Sequence, residues 1–246
     1  MHGNELDQTL VLIKPDALKN SLTGYVLSQL SEFHTGLRFA GTKVVHVTEL
    51  LAEEHYAEHR EKVFFPSLIE YLMGHIHYPG EPHKQRVIAI VYQGSHAAEK
   101  VRDIAGPTNP HLAREQKPGC IRSLGTVVPL KNTEGEVIGE RMDNLIHASA
   151  TYEEAEREIK LWFKPIDIPP FMRVFATQRC ETHFYYKDTK LFTSYVPDSV
   201  CVFAPGDAVW ESDLNVLQLI HQGSTTPRSL QSVVAKYLTN VTAEDF

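Results

Sequence analysis

Thr9-Leu10-Val11-Leu12-Ile13, running straight into Lys14-Pro15-Asp16, is the segment from which the rest of the architecture can be read. A short, almost wholly apolar run of this kind reads as a strand at the centre of a sheet. Pro15 stops the strand and leaves Lys14 at its C-terminal tip, where sheets commonly present functional groups.

Further along, Arg86-Val87-Ile88-Ala89-Ile90-Val91-Tyr92 predicts a second buried strand, and the loose alternation from Leu37 to Val47 a third. Asn144-Leu145-Ile146-His147-Ala148-Ser149 adds a short fourth strand, in which an apolar pair delivers a histidine to a fixed place. Helices are predicted between them. One spans Leu22 to Phe33 with Val26, Leu27, Leu30 and Phe33 on its inner face. A pair covers Leu50 to His59 and Phe64 to Met73, and another helix runs from Ala97 to Ala105, ended by Gly106-Pro107. The last covers Tyr152 to Phe163, with Thr151 as N-cap and Glu154 completing a capping box. Residues 106–144 read mostly as loop, apart from a hairpin over Gly125 to Glu140 with Asn132-Thr133-Glu134-Gly135 at its tip. This order predicts an α/β (α+β) fold: a ferredoxin-like sandwich with an antiparallel four-stranded sheet and helices on one side.

Lys164-Pro165-Ile166-Asp167-Ile168-Pro169-Pro170 reads as a stiff connection. The expected division is a domain over 1–164, a linker over 165–180 and a small C-terminal α+β module over 181–246. In that module a hairpin across Lys187-Asp188-Thr189-Lys190 and a strand at Ser199 to Phe203 precede two helices, Asp207 to Gln222 and one starting at Thr226-Pro227. The pattern suggests a winged-helix-like unit. Residues 165–246 hold six Lys/Arg against nine Asp/Glu, so no nucleic acid partner is expected. Because every candidate site residue precedes residue 165, the module is expected to be dispensable for chemistry.

Length and composition agree with one ordinary domain plus a small second one. At 42% hydrophobic and 22% charged residues the chain is globular, not disordered. No apolar run approaches the ~18–20 residues of a membrane span, and Met1 to Glu5 does not begin a signal peptide. Three scattered cysteines argue for a reducing, cytoplasmic setting. With a net charge of −7, an anionic substrate requires a local cluster of cations.

Such a cluster is available. Lys14, Tyr56, Phe64, Arg102, Thr108, Arg122, Asn144 and His147 each fall at an element end or in a loop. Two arginines, a lysine and a threonine suit a polyphosphate, an aromatic can stack on a base, and neutral imidazole is a nucleophile near pH 7. No GxxxxGK[ST] loop is present, which excludes a P-loop enzyme.

Residues 9–164 resemble the nucleoside diphosphate kinase family. The likeness is carried by Leu12-Ile13-Lys14-Pro15-Asp16, Glu54-His55-Tyr56 with Phe64-Phe65, and Val101-Arg102 before Gly106-Pro107-Thr108-Asn109-Pro110. It continues through Lys117-Pro118-Gly119-Cys120-Ile121-Arg122, Asn144 to Ser149 and the helix ending at Trp162-Phe163. The resemblance implies ping-pong transfer of the γ-phosphate of ATP to another nucleoside diphosphate through a phosphohistidine at His147. It further implies that Arg102, Thr108 and Arg122 hold phosphates and that Lys14 and Asn144 contact the sugar, with Lys14 also near the transferred group. Tyr56 would line the histidine, Phe64 would stack on the base, and Mg²⁺ would ride on the nucleotide phosphates with no protein ligand. A homo-oligomer is implied as well.

This chain departs from the family in several places. Ala-Ser-Ala follows His147 where relatives usually have Gly-Ser and an acidic residue, so Ala148 must avoid positive φ. Extra residues occur around Gly74 to Lys84, in His111 to Gln116, and between Arg122 and Asn144. The last leaves open whether Arg141 or Met142 covers the second face of the base. His75, His77 and His83 match no metal spacing and read as an exposed loop. A competing reading is a nucleotide-sensing regulator or scaffold with the C-terminal module as output, but sensing does not require the nucleophile.

Overall fold

Strand β1 (Asp7–Ile13) runs through the interior of a four-stranded antiparallel sheet in the computed structural model, which describes residues 7–240. The Met1 to Glu5 start lies outside those residues. Strands β2 (Arg38–Val45) and β3 (Val87–Gly94) follow in the chain, and the sheet order is β2-β3-β1-β6, where β6 is Ile146–Ala148. The register sets Leu10 opposite Val91, Ile13 opposite Ile88, and Leu12 opposite His147. The short strand with the histidine therefore lies directly beside the central one.

The continuous apolar run in β1 has a physical cause: both faces are buried. Leu10, Leu12, Ala89 and Val91 belong to one buried layer, while Val11, Ile13, Ile90 and Tyr92 belong to another. The first layer is closed by α4 (Glu49–His55), α5 (Phe65–Met73) and α8 (Tyr152–Trp162), through Leu51, Leu72 and Ile159. Helices α1 (Pro15–Lys19), α2 (Thr23–Gln29) and α6 (Ala97–Ala105) close the second through Ala17, Val26 and Val101. Helices thus cover both faces, where the sequence suggested one.

Three local expectations are corrected. The first predicted helix breaks after Gln29, and α3 (Glu32–Thr35) restarts behind Ser31, whose extended backbone and side chain cap His34 N–H. That restart shifts the helical phase. Thr35 turns inward and Phe33, expected in the core, is 93% exposed. Within the presumed loop, α7 (Pro110–Gln116) forms with Asn109 as its cap and Pro at its first position. Thr151 caps α8 as expected, but Glu154 reaches Ala150 N–H, one residue earlier than a capping box requires.

The predicted hairpin is present as β4 (Thr126–Lys131) and β5 (Val137–Asp143), longer than expected at its second arm. Beyond α8 the chain stays packed on the sheet. Ile168 is buried against Gly41, where a Cβ would lie 3.1–3.3 Å from Asp167 O, the Phe163 ring and Ile168. A side chain there would have to push these neighbours back by a few tenths of an ångström. Lys43 pairs with Asp167 at 3.2 Å, and Met172 O accepts from Gln8 and Gln93 at 2.7 and 3.0 Å.

The tail then forms β7 (Thr177–Arg179), β8 (Phe184–Lys187), β9 (Lys190–Phe192), β10 (Val200–Phe203) and β11 (Ala208–Trp210), followed by α9 (Glu211–His221) and α10 (Leu230–Val234). Strands β10-β8-β9 make one sheet and β11-β7 another. Helix α10 begins at Leu230 behind the cap Ser229, three residues after the expected Pro227 start, because the Ser229 side chain accepts from Ser232 N–H. Asp213 is buried against Lys236 at 2.9 Å and Arg228 at 2.5 Å.

Phe175, Trp210 and Ala235 of this tail belong to the same buried cluster as Leu10 and Trp162, and the Trp210 indole donates to Phe163 O at 2.7 Å. The tail thus shares a core with the sheet, which bears on the stability of a shortened chain and not on which residues carry the chemistry. Trp210→Ala should lower stability by about 3–5 kcal/mol, the usual range for emptying a buried aromatic site. In urea the whole chain should shift in a single transition. Two transitions, with that of the first part unmoved, would show that the tail folds apart from the sheet.

Candidate active site

The site is assembled around a strained turn. Leu145, buried at 1% exposure, has φ +70°, a conformation that non-glycine residues rarely adopt. Its N–H donates to the Asp16 carboxylate at 3.0 Å, and its carbonyl accepts from Lys14 N–H at 2.9 Å. The Lys-Pro-Asp stretch after β1 therefore holds both sides of the turn, and β6 starts at Ile146 with His147 directed to a cleft. Strain kept in place by its surroundings is a frequent feature of functional sites. Ala148 has no positive φ, which removes the objection raised by its side chain.

His147 is fixed by one ring nitrogen. Its Nε2 lies 2.8 Å from Glu158 Oε2 on α8, and the same oxygen accepts from Ser149 Oγ at 2.7 Å. Ser149 in turn accepts from Leu10 N–H at 3.1 Å. With Nε2–H given to the carboxylate, Nδ1 retains the lone pair. Burial, with Lys14 and Arg122 nearby, pulls the His147 pKa well below the usual imidazole value. Burial pushes the Glu158 carboxyl up.

His55 stands edge-on to His147 with ring centroids 4.4 Å apart, and its Nδ1 accepts from the Trp162 indole at 3.2 Å. Tyr56 follows, its ring centroid 6.4 Å from that of His147. Burial raises the Tyr56 hydroxyl pKa, so it stays protonated.

The cations come from three other places. Lys14 Nζ donates to Asn144 Oδ1 at 2.8 Å, and Asn144 Nδ2 donates to Thr108 O at 2.9 Å. Burial brings the Lys14 pKa down to about 8. Arg102 on α6 donates to Ala148 O at 3.3 Å. Arg122, 3% exposed, donates to Gly106 O at 3.0 Å and Ile146 O at 3.5 Å, while its Nε has no partner. Burial first, and Arg102 second, lower its pKa to about 10. Gly106 has φ +80°, and a Cβ there would come 2.2 Å from Cys120 Sγ, so the turn presenting this carbonyl admits only glycine.

All eight residues selected from sequence line one cleft of about 380 Å³. Phe64 is one of them and immediately precedes α5. Sequence reading missed His55, Glu158 and Glu140 as lining, while Arg141 and Met142, the alternatives it left open for the second face of the base, both line the cleft. Glu158 had a readable signal: it shares the inward stripe of α8 with Ala155, Ile159 and Trp162, where a carboxylate needs a partner. The expected exposed histidine loop is corrected in part, since His77 is largely buried with Nε2 3.2 Å from Asp143. Among the described residues, the one cluster with metal-ligating geometry is His55, His147 and Glu158 itself.

A ferredoxin-like sandwich whose cation-lined cleft ends on a histidine with one free nitrogen defines a phosphoryl-transfer class of site. The comparisons agree. The family model described as nucleoside diphosphate kinase matches residues 7–168. The nucleoside diphosphate kinase of Pyrococcus abyssi is 38% identical over 187 residues, 76% of this chain and 99% of that protein. That of Thermus thermophilus is 34% identical, covering 66% and 99%. Among solved structures, the Aquifex aeolicus nucleoside diphosphate kinase superposes with a TM-score of 0.53 at 30% identity, over 67% of this chain and all of that one. A transition-state mimic of the Borrelia burgdorferi enzyme, with vanadate and ADP, gives 0.51 at 30% identity, over 69% and 94%. The chain belongs to the nucleoside diphosphate kinase family. It is accordingly a phosphotransferase.

Proposed function

We propose that His147 Nδ1 attacks the γ-phosphorus of ATP or another nucleoside triphosphate, forming an N–P bond as the β,γ-bridging P–O bond breaks. The diphosphate leaves, a second nucleoside diphosphate enters, and its terminal oxygen takes the phosphoryl group from the histidine. The observation that carries this reading is the Glu158–His147 bond: it occupies Nε2 and leaves Nδ1 in a cleft furnished with cations. Arg102, Arg122 and Thr108 hold the phosphates. Lys14 and Asn144 take the sugar hydroxyls, with Lys14 also near the moving group, and Tyr56 lines the histidine. Phe64 stacks on the base, a contact open to every base because each has a π-face.

The family generally uses a divalent metal, and Mg²⁺ is assigned here to the nucleotide phosphates. Glu158 is taken up by His147 and Ser149, and Glu154 by Ala150 N–H, so neither is spare for a metal. When bound, Mg²⁺ neutralises charge on the phosphate oxygens. Residues 1–164 would then carry the chemistry, with 165–180 joining them to a supporting α+β module at 181–246. We also propose a cytoplasmic homo-oligomer; no helix among the described residues is long and apolar enough to cross a membrane. An intact nucleophile weighs against a purely sensing role.

Incubation with γ-labelled ATP should give an acid-labile, base-stable label on His147 that GDP removes as GTP. Absence of label in a chain that binds nucleotide would overturn the assignment. The pH dependence gives a separate test. A depressed His147 pKa keeps the attacking imidazole neutral as pH falls through the ordinary value of about 6.5. Single-turnover phosphorylation should therefore stay level across that range and decline only at lower pH. A decline centred near 6.5 would show that the cleft does not hold the imidazole neutral.

A further inference from the structure

The hairpin β4–β5 is tied to the helix that follows Phe64. Arg141 grips Asp143 with two bonds of 2.6 and 3.1 Å and donates to Ser67 Oγ on α5 at 2.9 Å. His77 Nε2 also lies 3.2 Å from Asp143 Oδ2. A Cβ at Gly139 would touch Val63 at 3.8 Å, which places the hairpin against the residue before Phe64. The hairpin and α5 are thus two walls of one slot, locked together at Arg141.

Glu140, Arg141 and Met142 line the cleft from the hairpin side. Arg141 is consumed by the lock. Met142 offers an apolar surface, and the exposed Glu140 offers a carboxylate that makes no hydrogen bond or ion pair with any described residue. The cations gather instead around His147, with Arg102 on Ala148 O and Arg122 on Ile146 O. The cleft is therefore cationic beside His147 and carries an unengaged acceptor on the hairpin.

We infer that Glu140 reads the edge of the base and favours guanine. This rests on the proposed reading, in which Phe64 marks the base end of the cleft. An ionised carboxylate only accepts hydrogen bonds, so it selects ligand groups that donate. Guanine presents two adjacent donors, N1–H and the 2-amino group, that match the two carboxylate oxygens. Adenine and cytosine present one exocyclic amino group. Uracil and thymine present a single N–H flanked by carbonyl oxygens, which the carboxylate repels. Stacking on Phe64 accepts any base, and Glu140 adds a ranking among them.

Calorimetric titration of the full chain with GDP and IDP tests this, because the two differ only in the 2-amino group and stack alike. The native chain should bind GDP about tenfold more tightly than IDP, the lower end of what a bidentate contact to a base edge provides. In Glu140→Ala that ratio should fall to about one, and in Glu140→Gln to an intermediate value. A native ratio near one, or a ratio that persists in Glu140→Ala, would overturn the inference. The side chain is exposed, so both variants should melt with the native chain. Failure of the functional reading looks different: the native chain would bind GDP over IDP yet form no phosphohistidine from ATP.

Discussion

His147→Ala should form no phosphoenzyme and transfer no phosphoryl group, while its affinity for nucleoside diphosphates stays within a few-fold of native. The covalent step is lost and the phosphate clamp is not, because Arg102, Arg122 and Lys14 are held by Ala148 O, Gly106 O and Asn144 independently of the imidazole. Glu158 keeps its bond from Ser149, so the carboxylate is not left bare. Labelling with γ-labelled ATP, alongside a GDP titration, separates the two effects. Residual acid-labile label would mean that another nitrogen accepts the group. His55, with its ring 4.4 Å from that of His147, would be the first to examine.

Arg122→Ala should lower kcat/KM by about 10²–10³, the range typical for removing one preorganised donor from a developing anion. Its guanidinium is buried and aimed by two backbone carbonyls, with Nε unpaired. Burial, and after it the neighbouring Arg102, lower its pKa to about 10. Two neighbouring cations arranged in this way repel one another until an anion arrives. The variant should therefore lose activity without losing thermal stability, and its melting temperature should hold or rise. Near-native kinetics would remove Arg122 from the phosphate clamp. A large fall in melting temperature would show that its bonds to Gly106 and Ile146 matter more for folding than for substrate.

Much of this was legible in residue order. The uninterrupted apolar runs of β1 and β3 announced their burial, because a strand covered on both faces has no polar side to show. Lys14-Pro15-Asp16 marked a strand end, and Asn144 to Ser149 a short strand ending in histidine. The eight residues chosen as candidates line one cleft. Local pattern was less reliable where a single cap changed the phase. Ser31 restarts a helix and throws Phe33 outward, and Asn109-Pro110 starts a helix inside what read as loop.

Residue order alone was enough for the sheet, the chemical types available to the site and the family. Packing in three dimensions settled which nitrogen of His147 is free, because that depends on Glu158, 11 positions on and one helix away. It settled that Asp16, 129 positions before Leu145, would hold the strained turn there. It settled also that Phe175 and Trp210 share a core with β1. Periodicity records which side of an element is buried. The identity of the group on the other side of the contact is set by packing between segments distant in the chain, and no local pattern contains it.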